Sequence, residues 1–147
     1  MILTIQIPAA IKGGSFTDSR GKLGFCNDFD MSQVKRFYLV ENANTEITRA
    51  WQGHQQEQKW FYVVSGSFMV AIVKPDNWSA PSANLPVDTH IIKAHENSVL
   101  HIPGGYANGF RALEQDSKLM VFSDFTLEEG LNDNFRFDAN LWFNFQQ

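Results

Sequence analysis

Hydrophobic residues along the chain occur in short runs between turn residues, without the 3.6-residue spacing of an amphipathic helix. The runs are rich in Val, Ile, Phe and Tyr, which favours half-buried strands. We predict strands over residues 34–40, 60–64, 67–73, 89–93, 98–102, 107–113 and 118–125. The pattern therefore predicts an all-β protein.

Turn residues mark where these strands are joined. Ser65-Gly66 predicts a two-residue hairpin between strands 60–64 and 67–73. Pro103-Gly104-Gly105 predicts a tight turn before the strand at 107–113. Residues 75–86 contain three prolines and several small polar residues, so we expect a long loop over one end of the sheet. Long loops in compact domains are often functional.

The length of 147 residues is that of a single domain. We expect a core over about residues 34–125 and a C-terminal packing segment over 126–147. The sequence LNDNFRFDANLWFNF in that segment is aromatic-rich but too short for a core of its own. It is therefore expected to pack back on the barrel or onto a partner subunit.

Composition and charge narrow the class of protein. A hydrophobic content of 44% with 14% aromatic residues is far from a disordered composition, and no 18-residue apolar run could span a membrane. The N-terminus lacks signal-peptide features and the single Cys26 cannot form an internal disulfide, so we expect a cytoplasmic protein. A net charge of -4 argues against nucleic-acid binding but leaves room for a phosphorylated small molecule.

Polar residues cluster at two places in the predicted strand pattern. Arg49, Gln52, His54 and Lys59 run directly into the strand at 60–64. Some forty positions later, the sequence HIPGGYANGF at 101–110 forms a second strand-turn-strand unit. Two such units facing each other would form the mouth of a small barrel, which is the candidate ligand site.

The two segments resemble the two motifs of the cupin superfamily, roughly G-x5-H-x-H-x3or4-E-x6-G and G-x5-P-x-G-x2-H-x3-N. In the first motif the two His, the Glu and the closing Gly fall on Gln52, His54, Lys59 and Gly66. In the second, Pro, Gly, His and Asn fall on Pro103, Gly105, Asn108 and Ala112. The resemblance implies a jelly roll, or double-stranded β-helix.

The departures from the motifs fall on the positions that hold metal in cupins. A transition-metal site needs three or more N, O or S donors, and Lys59 would bring a positive charge to the ion. We therefore expect no metal and no other cofactor. A metal-dependent oxygenase is the most distant alternative.

The order and spacing of several segments narrow the resemblance to the dTDP-4-dehydrorhamnose 3,5-epimerases and dTDP-sugar 3,4-ketoisomerases. The segments are DSRGKLGF at 18–25, VKRFYLV at 34–40, residues 49–66, IPGGYANGF at 102–110 and FSDFTLEEG at 122–130. This resemblance implies metal-independent abstraction of a proton beside the ketone of a nucleotide-linked 4-keto sugar.

The resemblance also implies roles for particular side chains. His54 would be the base, Arg49 and Lys59 would steady negative charge, and Gln52 and Asn108 would orient sugar hydroxyls. Further candidates for substrate contact are Trp51, Tyr62, Arg36 and Arg111. Each has a plainer interpretation: His54 as a satisfied core residue, Lys59 as a solvated charge, the aromatics as core and the arginines as surface residues.

Two functions remain open at this point. The base His of the epimerases aligns with Gln52, their second mouth His with Asn108 and their acid Tyr with Val121, and an amide cannot accept a proton at useful pH. An isomerase with a single base would use His54, which matches the second His of the ketoisomerase H-x-H pair. The alternative is a sugar-binding cupin that has lost turnover. Proton exchange beside the ketone distinguishes them.

The N-terminal sequence bears on assembly. Residues 2–7, ILTIQI, form a short apolar segment that would be a liability as an uncovered edge strand. Related proteins pair their barrels through an exchanged or added strand. We therefore expect a homodimer in which residues 2–7 lie against the partner or close their own sheet.

Overall fold

The computed structural model describes residues 6–146, and nearly all of their regular structure is β. The twelve strands are β1 (Ala9–Ile11), β2 (Gly14–Asp18), β3 (Gly21–Phe25), β4 (Arg36–Glu41), β5 (Thr48–His54), β6 (Lys59–Ser65), β7 (Ser67–Val73), β8 (Asp88–Lys93), β9 (Val99–Ile102), β10 (Tyr106–Ala112), β11 (Lys118–Ser123) and β12 (Phe135–Arg136). Short 3-10 helices cover Ala94–Glu96 and Glu129–Asn132. The all-β prediction is confirmed.

The strands form two five-stranded antiparallel sheets and a separate hairpin. The first sheet has the order β1-β9-β6-β11-β4, and the second sheet has the order β12-β5-β10-β7-β8. The hairpin consists of β2 and β3. Strands that follow each other in sequence thus lie mostly in different sheets, as in a jelly roll.

The main core lies between the two sheets. It combines inward-facing side chains of β6, β9 and β11 with those of β7 and β10, and its largest members include Phe61, Phe68, Leu100, Phe110 and Leu119. The rings of Phe61 and Phe110 meet edge to face across the interior, with centroids 5.6 Å apart. The interior is therefore filled with side chains at this level, and any cavity must lie towards one end.

All seven predicted strands are present, each with ends within two residues of the prediction. The pattern did not reveal β1, β2, β3, β5 or β12. Two of these are only two or three residues long, and β2 and β3 are almost entirely exposed, so they lack a hydrophobic face. The remaining strand, β5, carries most of the polar cluster that we had placed before a strand.

The predicted hairpin at Ser65-Gly66 is wrong. β6 lies in the first sheet and β7 in the second, and the two do not pair. Gly66 has φ 74°, and a Cβ at this position would collide with the side chain of Ser117. Gly66 therefore marks a corner between the sheets, where a side chain would not fit. The turn predicted at residues 103–105 is confirmed; it joins β9 to β10 and also crosses between the sheets.

The predicted long loop and the C-terminal tail (residues 126–146) cover the outside of the second sheet. No strand or helix interrupts residues 75–86. β12 pairs with β5, and the ring centroids of Trp78 and Phe135 lie 5.0 Å apart. Phe145 packs with Trp51 in a second buried cluster. The expectation that the tail packs back on the barrel is confirmed.

The N-terminal edge segment was predicted at residues 2–7, most of which lie outside the described residues. Residues 2–5 lie outside the described residues, and Gln6 and Ile7 belong to no strand. Among the described residues, no helix has the length and apolar character needed to cross a membrane.

Candidate functional site

A cavity of about 330 Å³ lies between the two sheets at one end of the core. This volume falls at the lower end of the range for small-molecule sites. The cavity is lined by β4, β5, β6, β10 and β12 through Tyr38, Val40, Thr48, Arg49, Ala50, Trp51, Gln52, Lys59, Phe61, Asn108, Phe110 and Arg136.

One wall of the cavity is a polar row across three strands of the second sheet. Arg136 of β12 lies opposite Gln52 of β5, which in turn lies opposite Asn108 of β10. The amide of Gln52 donates from Nε2 to Asn134 Oδ1 at 2.9 Å. The row therefore presents one guanidinium and two amides, which can orient a polar ligand but cannot act as bases.

The first sheet contributes a lysine and a phenol to the cavity. Lys59 is only 3% exposed, and its Nζ donates to the hydroxyl oxygen of Tyr38 at 3.1 Å. Tyr38 pairs across strands with Val121, the position at which the resemblance placed the epimerase tyrosine. A phenol on the neighbouring strand β4 thus lies beside the position at which the resemblance placed a tyrosine on β11.

Behind Lys59 lies a buried carboxylate that the sequence analysis did not identify. Glu57 is 2% exposed, and its Oε2 lies 2.9 Å from Lys59 Nζ and accepts a hydrogen bond from Ser123 Oγ at 2.7 Å. Arg36 Nη2 lies 3.6 Å from the same oxygen. Burial alone would raise the pKa of Glu57, but the hydrogen bonds from Lys59 and Ser123 and the charge of Lys59 together lower it. Glu57 is therefore ionised.

His54 does not line the cavity, and its side chain is buried, with 4% exposed. Its Nδ1 is 2.7 Å from the carbonyl oxygen of Asp133, and because a carbonyl only accepts, Nδ1 carries the proton. Nε2 is buried without a hydrogen-bond partner among residues 6–146. Burial lowers the pKa of His54, although the Asp133 carbonyl and the charge of Glu57 act in the opposite direction. The ring is thus a neutral imidazole with a free lone pair on Nε2.

The position of His54 is fixed by its strand and by Asp133. His54 lies two residues beyond Gln52 on β5, so both side chains point to the same face of the sheet. The carboxylate of Asp133 accepts hydrogen bonds from the backbone N–H groups of residues 55, 56 and 57 at 2.7 to 2.9 Å. The loop after β5 is therefore held rigidly against the tail.

The cavity wall is positively charged. Three basic side chains line it, and no acidic side chain of the described residues does. Lys59 is matched by Glu57, but neither Arg49 nor Arg136 forms an ion pair within residues 6–146. Arg49 donates from Nε to the amide oxygen of Asn42 at 2.7 Å. Such a wall favours an anionic ligand.

The structure brings five of the nine predicted site residues to the cavity: Arg49, Trp51, Gln52, Lys59 and Asn108. Trp51 belongs mainly to the core beneath the tail, and its indole N–H donates to the carbonyl of Leu141 at 2.7 Å. Its plainer interpretation as a core residue accounts for most of its contacts.

The other four predicted residues do not line the cavity. Tyr62 lies on the opposite face of β6 from the buried Phe61 and donates to Asn97 Oδ1 at 3.1 Å. Arg111 donates to the Thr45 carbonyl at 3.2 Å, and Arg36 donates from Nε to the Phe125 carbonyl at 3.2 Å. These three side chains form hydrogen bonds outside the cavity. Their positions therefore do not support a direct contact with a ligand in it. His54, the fourth, lies two positions along β5 from Gln52, which does line the cavity.

Four residues of the site were missed in the sequence: Tyr38, Glu57, Asp133 and Arg136. A signal existed for Glu57, because it precedes Lys59 by two residues and residues at that spacing share a face of an extended chain. Arg136 and Asp133 reach the site through the pairing of the tail with β5, which local patterns do not reveal.

The donor set does not suit a transition metal. No group of three or more His, Cys, Asp or Glu side chains that could hold an ion occurs within the described part of the chain. The nearest pair of donors, His54 and Glu57, lies beside the Lys59 ammonium group. The described residues therefore offer no suitable transition-metal site.

No protein-family model matches the chain, and no curated protein sequence matches it. Solved structures do match, and they define the class of fold: the chain has the cupin jelly roll found in dTDP-sugar 3,5-epimerases and 3,4-ketoisomerases. The cupin fold expected from the sequence is confirmed.

Three solved structures illustrate this similarity. The RmlC epimerase of Mycobacterium tuberculosis has a TM-score of 0.73 and 18% identity, over 94% of this chain and 72% of that one. The QdtA 3,4-ketoisomerase of Thermoanaerobacterium thermosaccharolyticum, a double mutant in complex with TDP, has a TM-score of 0.69 and 19% identity, over 91% and 90%. The dTDP-4-dehydrorhamnose 3,5-epimerase of Bacillus anthracis, with TDP and PPi bound, has a TM-score of 0.71 and 16% identity, over 90% and 79%. At sequence identities this low, the structural similarity establishes the fold alone.

Proposed function

We propose that the protein is an isomerase or epimerase that abstracts a proton beside the ketone of a nucleotide-linked, dTDP-type 4-keto sugar without a metal. One observation carries the proposal. The neutral imidazole of His54 keeps a buried Nε2 without a hydrogen-bond partner among the described residues, two positions along β5 from Gln52, which lines the cationic cavity. Most buried polar atoms have a hydrogen-bond partner, so an unpartnered nitrogen on a buried histidine is a candidate proton acceptor.

The charge of the cavity supports a nucleotide-linked sugar as the ligand. Arg49 and Arg136 have no acidic partner among the described residues, and guanidinium groups bind phosphate oxygens through paired hydrogen bonds. Structures of the same fold contain TDP and TDP-4-keto-6-deoxyglucose. The diphosphate would contact the arginines, while Gln52 and Asn108 would bind sugar hydroxyls.

The chemistry would use groups of both sheets. Nε2 of His54 takes the proton from the carbon beside the ketone, and the electron pair of the broken C–H bond moves to the ketone oxygen. The Lys59 ammonium and the Tyr38 hydroxyl stabilise the enolate oxygen. Isomerisation follows when the former ketone carbon takes the proton from His54, its oxygen takes the proton of the neighbouring hydroxyl, and that hydroxyl oxygen becomes the new ketone. Epimerisation follows when the original carbon instead takes a proton from a donor on the opposite face of the sugar, and His54 gives its proton to solvent. His54 does not itself line the cavity, so the reaction requires the Gln52 side chain, its neighbour on the same face of β5, to move aside and bind the sugar hydroxyl from its new position.

The second candidate is a sugar-nucleotide-binding cupin without turnover. It is favoured by the two amides, Gln52 and Asn108, which line the cavity, whereas His54 is buried and does not line it. Both candidates bind the same ligand and differ only in whether a proton leaves the sugar.

Solvent deuterium incorporation into TDP-4-keto-6-deoxyglucose tests the proposal. We expect the wild type to catalyse exchange, and His54→Ala to abolish it while changing sugar-nucleotide affinity by no more than about tenfold, or about 1.4 kcal/mol. His101→Ala is the matched control, because His101 stacks on Trp60 away from the cavity and should leave exchange intact.

The opposite result would favour the binding protein. Wild type that binds several nucleotide-linked 4-keto sugars yet shows no exchange over hours between about pH 6 and 9 contradicts the enzyme. In that event Gln52→His would place an imidazole of pKa about 6.5 in the cavity wall and should create exchange.

A further inference from the structure

Three neighbouring strands of the first sheet direct polar side chains at one carboxylate. Ser123 of β11 pairs across strands with Arg36 of β4 on one side and with Lys59 of β6 on the other. All three approach Glu57 Oε2, at 2.7 Å for Ser123, 3.6 Å for Arg36 and 2.9 Å for Lys59. A row of side chains thus converges on a residue that lies outside the strands.

Glu57 itself is held from the other side. Its backbone N–H donates to Asp133 Oδ2 at 2.8 Å, and its Oε1 lies 3.5 Å from His54 Nδ1. A Cβ on Gly130 would approach Oε1 to 3.1 Å, so the short helix of the tail closes over the carboxylate. Glu57 therefore has little freedom to move.

Burying the ion pair of Glu57 and Lys59 costs desolvation free energy. The geometry of the pair therefore indicates its role better than its presence does. Desolvation of two charges often outweighs their attraction, so a buried pair is weak evidence for a contribution to stability. Here the cation lines a cavity, and its ammonium group also contacts the Tyr38 hydroxyl. The ion pair therefore fixes the position of Lys59 Nζ.

We propose that Glu57 is a positioning residue, whose buried carboxylate holds the Lys59 ammonium against the Tyr38 hydroxyl in the cavity wall. The proposal rests on the proposed function in so far as these two groups stabilise the enolate. A carboxylate that merely fastens the loop after β5 to the first sheet would contribute to folding without controlling Lys59.

The reactivity of the lysine side chains separates these two roles without requiring any enzyme activity. We would treat wild type and Glu57→Gln with formaldehyde and borohydride under native conditions and locate methylated lysines by peptide mass analysis. In wild type, Lys59 should resist methylation while the half-exposed Lys118 reacts. In Glu57→Gln the charge that retains Lys59 is gone, and its methylation should rise by at least about tenfold.

Glu41→Gln is the matched control, because Glu41 pairs with Lys118 on the surface at 3.6 Å and lies outside the cavity. This change should leave Lys59 protected. Equal protection of Lys59 in folded Glu57→Gln and in wild type would overturn the proposal. If Glu57→Gln does not fold, Ser123→Ala removes a hydrogen bond to the same oxygen. Increased methylation of Lys59 in Ser123→Ala then supports the proposal, and unchanged methylation refutes it.

A kinetic measurement adds the functional consequence. In Glu57→Gln we expect kcat for deuterium exchange to fall at least about tenfold with KM changed less than about threefold, because the interaction matters mainly when charge develops. An unchanged kcat in a variant whose Lys59 has become reactive would refute the role in catalysis. If wild type shows no exchange, the proposed function fails, while the methylation result still decides the role of Glu57.

Discussion

At the scale of single residues, the protonation state of His54 follows from its burial and from its contact with the Asp133 carbonyl. Burial favours the neutral ring, and the Asp133 carbonyl fixes the proton on Nδ1. The remaining nitrogen, Nε2, then holds a lone pair that no described residue uses. A proton acceptor at neutral pH therefore exists next to the cavity, even though the residues that line it at the corresponding strand positions are amides.

This state predicts how stability changes with pH. Because the pKa of His54 is lower in the folded protein than in the unfolded chain, the unfolded chain binds more protons as pH falls below about 6.5. The contribution of His54 to the free energy of unfolding is thus present above that pH and is lost as pH falls towards the folded pKa. Urea denaturation between about pH 8 and 5 measures it.

The matched comparison is His54→Asn, which should lose stability less steeply than wild type over this range. Burial also lowers the pKa of His101, but His101 is present in both proteins and cancels in the difference. Parallel pH curves for wild type and His54→Asn would show that His54 is not held neutral by the fold.

At the scale of elements, the short strand β12 completes the site. It is two residues long, yet its pairing with β5 places Arg136 opposite Gln52 in the cavity wall. Aromatic contacts between Trp78 of the long loop and Phe135 and Phe137 hold this strand in place. The loop and the tail therefore hold a residue that lines the cavity, in addition to covering the sheet.

We expect Arg136→Met to weaken TDP binding by about tenfold, because a charge-assisted hydrogen bond to phosphate is lost while the aliphatic stem is kept. Isothermal titration calorimetry measures the change. Arg20→Met, in the hairpin and paired with Asp18, is the control and should bind TDP as wild type does. Equal TDP affinity of Arg136→Met and wild type would place the phosphates elsewhere.

The sequence predicted most of the longer strands, but it predicted only part of the site. Alternating apolar runs identified seven strands, because such runs reflect burial of one or both faces. Sheet assignment was not accessible: the corner at Gly66 and a hairpin turn have the same residue preferences, and only long-range pairing separates them. Likewise, the polar clusters and the resemblance to the cupin motifs indicated Gln52, Lys59 and Asn108, whereas Arg136 enters through a non-local strand pair.

At the scale of the whole molecule, exposed apolar surface points to assembly. The hairpin β2-β3 pairs with neither sheet, and isolated hairpins are marginally stable in water. Its Leu23 is 61% exposed, and on the edge strand β4 Phe37 is 62% exposed. A partner subunit that covered these side chains would stabilise the hairpin and protect the edge.

We therefore predict a homodimer, measured as twice the chain mass by light scattering at micromolar concentration. Leu23→Asp and Phe37→Asp should each shift the protein towards monomer, because a buried unpaired carboxylate disfavours the interface. Thr17→Asp, on the same hairpin, is the control for added charge. A wild type that is monomeric at these concentrations contradicts the prediction.

We expect a nucleotide-linked sugar to bind in the cavity with its reactive carbon next to His54. A crystal structure of the wild type with TDP-4-keto-6-deoxyglucose tests it most directly. We expect a carbon beside the ketone within about 3.5 Å of Nε2, displacement of the Gln52 side chain, and the ketone oxygen facing Lys59 and Tyr38. A sugar bound outside the cavity, or one separated from Nε2 by an undisturbed Gln52, would contradict the account.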